Sequence, residues 1–149
     1  MTRTQGGIDM YSLHHLWMKT YLRMKRLVMA QAQPLGLSPG QPKILEFLAE
    51  HGEHEQKDIA QYCEIEAATV GSILLRMEAA GLVTRRNRPN NRRSLYVSLT
   101  PQGEEMARIL QGIFAAAEAQ ITAGLTGEER ETLFRLLSKC LQNGKGNGV

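Results

Sequence analysis

Cysteine is scarce in this chain. Two residues of 149, Cys63 and Cys140, lie far apart and form no C-x-x-C pair, so neither a disulfide framework nor a zinc site is indicated. Aromatic residues make up only 5% of the sequence. No apolar run is long enough to span a bilayer, and Met1 to Asp9 lack the hydrophobic core of a signal peptide, so the expected location is the cytoplasm, with no membrane partner. Glycine-rich phosphate loops, paired carboxylates and a nucleophile beside its base are all missing, which argues against an enzyme and calls for no cofactor. His14 and His15 are adjacent on a helix and point in different directions, and His51 and His54 sit at a helix end, so no metal site is expected.

Acidic residues are also missing from one stretch, Thr84 to Gly103, and there the absence is informative. TRRNRPNNRRSLYVSLTPQG crowds Arg85, Arg86, Arg88, Arg92 and Arg93 around a Pro89-Asn90-Asn91 turn. Leu95, Val97 and Leu99 then alternate with Tyr96 and Ser98, the period of a strand with one buried face. The arginines are therefore expected on the projecting tip of a two-stranded ribbon, suited to phosphate and minor-groove contact. A net charge of +3 would not by itself identify a polyanion-binding protein. Its distribution does more, with arginines in the hairpin and glutamates in the C-terminal third.

Helical periodicity fills most of the remainder. Leu13, Leu16, Trp17, Thr20, Met24, Leu27 and Val28 predict a first helix from Ser12 to Gln33, ended by Pro34-Leu35-Gly36. Ser38-Pro39-Gly40-Gln41 reads as a capping box opening a second helix through Glu50. A short helix over Gln56–Tyr62, a turn at Cys63 to Ile65 and a helix over Ala67–Ala80 precede the hairpin, which is the order of a winged helix-turn-helix. In the last of these helices Val70, Ile73, Leu74 and Met77 form a core-facing stripe. The opposite face, Ala68, Gly71, Ser72 and Leu75 flanked by Thr69 and Arg76, is expected to enter a major groove. Thr100-Pro101 opens a long helix to about Ala123, and Thr126-Gly127-Glu128-Glu129 is a capping box for a last one. Their apolar stripes, with that of the first helix, have too little partner surface within one chain, which favours a homodimer over an intramolecular three-helix pack.

The runs PLGLSPGQPKILEFL, KDIAQYCEIEAATVGSILLRMEAAGLVTRR and NNRRSLYVSLTPQG together resemble a MarR-type transcriptional regulator, over Leu13 to Leu141. The resemblance implies a mainly α fold with a small β-hairpin wing. It places a helical dimerisation domain at 10–36 and 102–143, a winged helix-turn-helix at 37–101, and flexible tails at 1–9 and 144–149. It further implies a homodimeric repressor on pseudo-palindromic double-stranded DNA, released by a small phenolic or anionic effector. DNA contact then falls to Ala68, Thr69, Ser72, Leu75 and Arg76 on the recognition helix and to Arg85, Arg86, Arg88, Asn91, Arg92 and Arg93 on the wing. Two departures stand out. The family's Asp-x-Arg wing motif is Asn91-Arg92-Arg93 here, and Gly71 and Ser72 replace larger polar side chains. Cys63 and Cys140 are expected to be buried, with no sensing role. Tyr11, Trp17, Met18 and Tyr21 are expected in the dimer core, with some of them available to line an effector cavity. Glu66 is expected to serve as a dipole partner at its helix N-terminus.

Overall fold

In the computed structural model, residues 11–144 are described, apart from the side chains of Asn91 and Arg92; the two tails expected at the chain ends fall almost wholly outside them. Six α-helices and three short strands follow in the order α1 (Leu13–Ala32), α2 (Gln41–His51), β1 (His54–Glu55), α3 (Gln56–Cys63), α4 (Ala67–Ala79), β2 (Val83–Arg88), β3 (Asn91–Leu99), α5 (Pro101–Ile121) and α6 (Gly127–Asn143). A 3-10 turn, Gln33–Leu35, closes α1 on Gly36. No helix among the described residues is long and apolar enough to cross a membrane.

The core lies where α2, α3, α4, the sheet and the first half of α5 meet. Ile44, Leu45, Ile59, Val70, Leu74, Met77, Val83, Val97 and Leu110 are all fully buried there. Each such side chain contributes on the order of 1.5–3 kcal/mol of transfer free energy. All four residues of the α4 stripe are buried, which fixes that helix's rotation and turns Ala68, Thr69, Ser72, Leu75 and Arg76 to solvent. Gly71 departs from its expected place on the groove face. It is half-buried, and a Cβ there would lie 3.1 Å from Nε2 at the end of the Gln56 side chain of α3.

Three local expectations are corrected. The second helix starts at Gln41 rather than Pro39, with Gly40 as its N-cap at φ 89°. Pro42 explains the shift. With Ser38 as N-cap, Pro42 would occupy the fourth helical position, whose N–H must donate to the N-cap carbonyl, and proline has none. Half of the capping box survives, because the Ser38 backbone N–H donates to Gln41 Oε1 at 3.2 Å. The sheet has three strands rather than two, in the order β1-β3-β2, with His54 opposite Val97 and Glu55 opposite Tyr96. Leu95 is exposed although Val97 is fully buried, because it lies toward the turn end of β3, beyond the residues Tyr96 and Val97 that pair with β1. Asn90 takes φ 74° in that turn, a conformation asparagine tolerates better than most residues.

The two caps nearer the C-terminus form as the sequence predicts. Thr100 Oγ1 accepts from Gly103 N–H at 3.0 Å. Thr126 and Glu129 exchange both bonds of a capping box, at 3.1 and 3.0 Å. Yet α6 buries none of its residues, and Phe134 is 77% exposed. Leu13, Leu16, Trp17, Met18 and Tyr21 of α1 are exposed as well. Cys140 is exposed where a buried position was expected, since the α6 stripe that carries it has no cover within the chain.

Candidate nucleic-acid interface

The helix-turn-helix is held by a short turn, Glu64-Ile65-Glu66, between α3 and α4. Glu64 caps α3 in the left-handed region at φ 54°, and Ile65 N–H closes on Ala60 O at 3.0 Å. On the exposed face of α4, Ser72 Oγ donates back to Ala68 O at 3.4 Å, a long bond that a base edge or phosphate could displace. Leu75 is 58% exposed on the same face. No side chain caps Glu66 or is capped by it at the start of α4.

The wing arginines do not cluster at one tip. Strand alternation divides them between the two faces of the sheet, because Val83 and Val97 fix which face is buried. Arg85, opposite Val97, lies on the core side with its side chain only 17% exposed. It donates to both oxygens of Glu78 on α4, from Nη2 at 3.3 Å and from Nε at 3.4 Å. Arg86 and Arg88 lie on the outer face. Both reach back to Glu53, just before β1. Arg86 donates from Nη2 at 2.9 Å and from Nε at 3.2 Å, and Arg88 from Nη2 at 3.3 Å. Ser98 Oγ donates to the same carboxylate at 2.9 Å. One row away Tyr96 OH donates to Glu55 Oε1 at 2.7 Å, Lys57 Nζ sits 3.1 Å from Glu55 Oε2, and the Arg88 guanidinium stacks 4.0 Å from the Tyr96 ring centroid.

This ladder shifts its own acids. The hydroxyl of Ser98, with Arg86 and Arg88 behind it, holds the Glu53 carboxyl below its ordinary range, and the Tyr96 hydroxyl with Lys57 does the same for Glu55. Glu53, Glu55, Glu78 and Tyr96 were not singled out from sequence. The one signal available was five like charges in need of compensation, which says nothing about where the compensating acids lie. Arg93 is exposed near the turn, beside Glu55, Gln56, Lys57 and Ser94 around a shallow pocket. Asn91 and Arg92 are placed by backbone alone, at the start of β3.

A second feature lies where α1, α2 and α5 meet. A cavity of about 110 Å³ is lined by Tyr21, Met24, Val28, Pro42 and Phe114, among others, with Lys25 and Lys43 at its border, and its walls are almost wholly apolar. Lys43 Nζ donates to Tyr21 OH at 3.1 Å, and that bond lowers the Tyr21 pKa. Cys63 is buried, and desolvation pushes its thiol up to about 11.

Known proteins share this arrangement. The MarR family model matches residues 37–95, from just before α2 to the middle of β3. The homoprotocatechuate degradative operon repressor of Escherichia coli is 32% identical over 127 residues, covering 83% of this chain and 86% of the repressor. Among solved structures, Staphylococcus aureus MepR in complex with DNA superposes with a TM-score of 0.81 at 23% identity, over 89% of this chain and 98% of that one. Bordetella bronchiseptica BpsR, whose DNA binding is regulated by 6-hydroxynicotinic acid, superposes with a TM-score of 0.79 at 25% identity, over 86% and 97%. With its helix-turn-helix, three-stranded wing and long helix leaving the wing, this chain belongs to the MarR family of winged helix-turn-helix transcriptional regulators.

Proposed function

We propose that two copies of this chain bind a pseudo-palindromic operator as a repressor, and that a small phenolic or anionic effector releases them. The observation that carries the reading is the α4 face: Ala68, Thr69, Ser72, Leu75 and Arg76 stand exposed on a helix whose opposite stripe is locked in the core. That face enters the major groove. Thr69 and Ser72 meet base edges or phosphate, Leu75 meets a thymine methyl, and Arg76 meets guanine or phosphate. Arg93 enters the flanking minor groove, with Asn91 and Arg92 beside it at the turn. Arg85, Arg86 and Arg88, the other wing arginines expected at DNA, are each paired with an acidic residue within the chain. Glu66 acts on the α4 dipole and not on a base.

Dimerisation is supported by the uncovered apolar faces of α1 and α6, which a second copy would bury. Effector binding is supported by the cavity between α1, α2 and α5, whose apolar walls suit an aromatic ring and which the Tyr21–Lys43 pair borders. The test is anisotropy on a duplex selected by the wild type from a randomised pool. Arg93→Ala should weaken specific binding by about 1–3 kcal/mol, roughly 5- to 150-fold, with an unchanged melting curve. Wild-type affinity in a normally folded variant would refute the wing assignment.

A further inference from the structure

We propose that Glu53 is an internal counter-ion of the wing, occupying on Arg86 and Arg88 the place a DNA phosphate would take and so limiting sequence-independent attraction to nucleic acid. The inference rests on the DNA-binding reading and adds a specificity-determining residue outside the recognition helix and the wing turn. Its basis is geometric. One carboxylate receives three guanidinium N–H bonds from two arginines at 2.9 to 3.3 Å, the donor pattern with which arginine grips phosphate oxygens. The Ser98 hydroxyl, at 2.9 Å, fixes the carboxylate from the strand between. Both guanidinium groups remain more than half exposed, so they are held but not hidden. Arg88 is the last residue before the Pro89-Asn90 turn, opposite Asn91.

Stability does not explain the arrangement. Solvent-exposed pairs of this kind are worth about 0–1 kcal/mol each. Their larger consequence is for counterion release, which sets non-specific affinity at a slope of about −0.9 per neutralised phosphate. With Glu53 in place, Arg86 and Arg88 together carry one net positive charge rather than two and add correspondingly less to that slope. Non-specific binding then depends on the remaining cations, and the ratio of specific to non-specific affinity stays high.

The experiment measures log K against log salt for the full-length protein on a selected operator and on random duplex, with immobilised heparin as a polyanion that needs no operator. Glu53→Gln should steepen the random-duplex slope by about 1, raise random-duplex affinity more than operator affinity, and elute later from heparin. The triple variant Glu53→Gln/Arg86→Gln/Arg88→Gln should lose that gain and bind with a slope no steeper than the wild type's, which assigns the gain to these two arginines. Ser98→Ala, a smaller perturbation that leaves the charges in place, should move slope and elution the same way by less, and serves if Glu53→Gln folds poorly. An unchanged slope in Glu53→Gln, or weaker binding to all three polyanions, overturns the proposal. If heparin elution shifts as expected while no duplex is bound, the counter-ion role stands and the DNA-binding reading fails. If duplex is bound and neither slope nor elution moves, only the counter-ion role fails.

Discussion

Gly103→Ala should destabilise the protein by about 3 kcal/mol, although it replaces a glycine within a helix, where alanine ordinarily stabilises. Gly103 lies in the first turn of α5, buried against the start of β2. A Cβ at this position would sit well inside van der Waals contact of the Leu82 carbonyl oxygen, 3.0 Å from the Leu82 carbonyl carbon and 3.2 Å from Leu99 Cδ2. The obstacle is backbone and cannot rotate away. Leu82 O is itself fixed, as the acceptor of Thr100 N–H at 3.1 Å, and Thr100 Oγ1 donates to Gly81 O at 2.6 Å. Relieving the clash must move α5 off the sheet. That costs overpacking strain toward the upper end of about 1–3 kcal/mol, plus about 1 kcal/mol for the Thr100–Gly103 cap. The gain in helix propensity, at most about 1 kcal/mol, offsets only part of this. The expected fall in melting temperature is about 6–12 °C, at roughly 2–4 °C per kcal/mol for a chain of this size. Gly112→Ala provides the internal control. It lies on the same helix with nothing within 4 Å of its would-be Cβ, so it should hold or raise stability. Urea unfolding of both variants decides. A Gly103→Ala protein as stable as the wild type would show that the approach of α5 to Leu82 is not the constraint claimed here.

Other consequences can be checked with similar means. Gly71→Ala should be neutral or stabilising by up to about 1 kcal/mol in urea unfolding, because its new methyl meets only the mobile end of Gln56; a loss above 1 kcal/mol would mean the α3–α4 contact is tighter than the structure shows. In a Cys140→Ser background no thiol should react with Ellman's reagent at pH 8 until urea unfolds the chain, since burial holds the Cys63 thiol near 11; rapid native reaction would contradict that burial. Glu53 and Glu55 titrate below their ordinary value of 4.5 in the folded state, so their stabilising contribution is complete above that pH and is lost as pH falls through the lower folded values. A Glu53→Gln/Glu55→Gln variant should therefore lose less stability than wild type between pH 5 and pH 3, roughly the span over which depressed carboxyls protonate, and parallel urea midpoints over that range would refute the assignment.

Much of the winged module is legible because its signals are local. The four-residue stripe of α4 needs only helical spacing, and the caps at Thr100 and Thr126 need only residues three positions apart. What the sequence concealed is non-local or cancels a local signal. Arg86 and Glu53 are 33 residues apart, and they meet only because β1 joins the sheet. That strand is two polar residues long and has no periodicity to read. The start of α2 was misplaced because two prolines compete for the first turn, and the missing N–H of Pro42 outweighs the favourable position of Pro39. The arginine cluster reads in sequence as a DNA-facing charge. Its compensation came mostly from within the chain, which no count of like charges along the sequence could reveal.

The position of α5 ties the two functional regions together. Gly103, Ala107, Leu110 and Ala117 form one buried stripe along 21 residues, about 31 Å of continuous helix. Its first turn is pinned to Leu82 at the base of the wing, its middle packs beside α2, and Phe114 lines the cavity that Tyr21 and Lys43 also line. An effector seated there touches α1, α2 and α5 at once, and α2 and α5 both pack on the module that carries α4. Binding can weaken DNA affinity only by as much as the effector prefers one arrangement of these helices over the other. A cavity of about 110 Å³ is small for an aromatic acid, so such a ligand fits only if Phe114 or Tyr21 moves. Under the proposed function that displacement would supply the difference in affinity, and α5 is the helix that joins the cavity to Leu82 at the base of the wing.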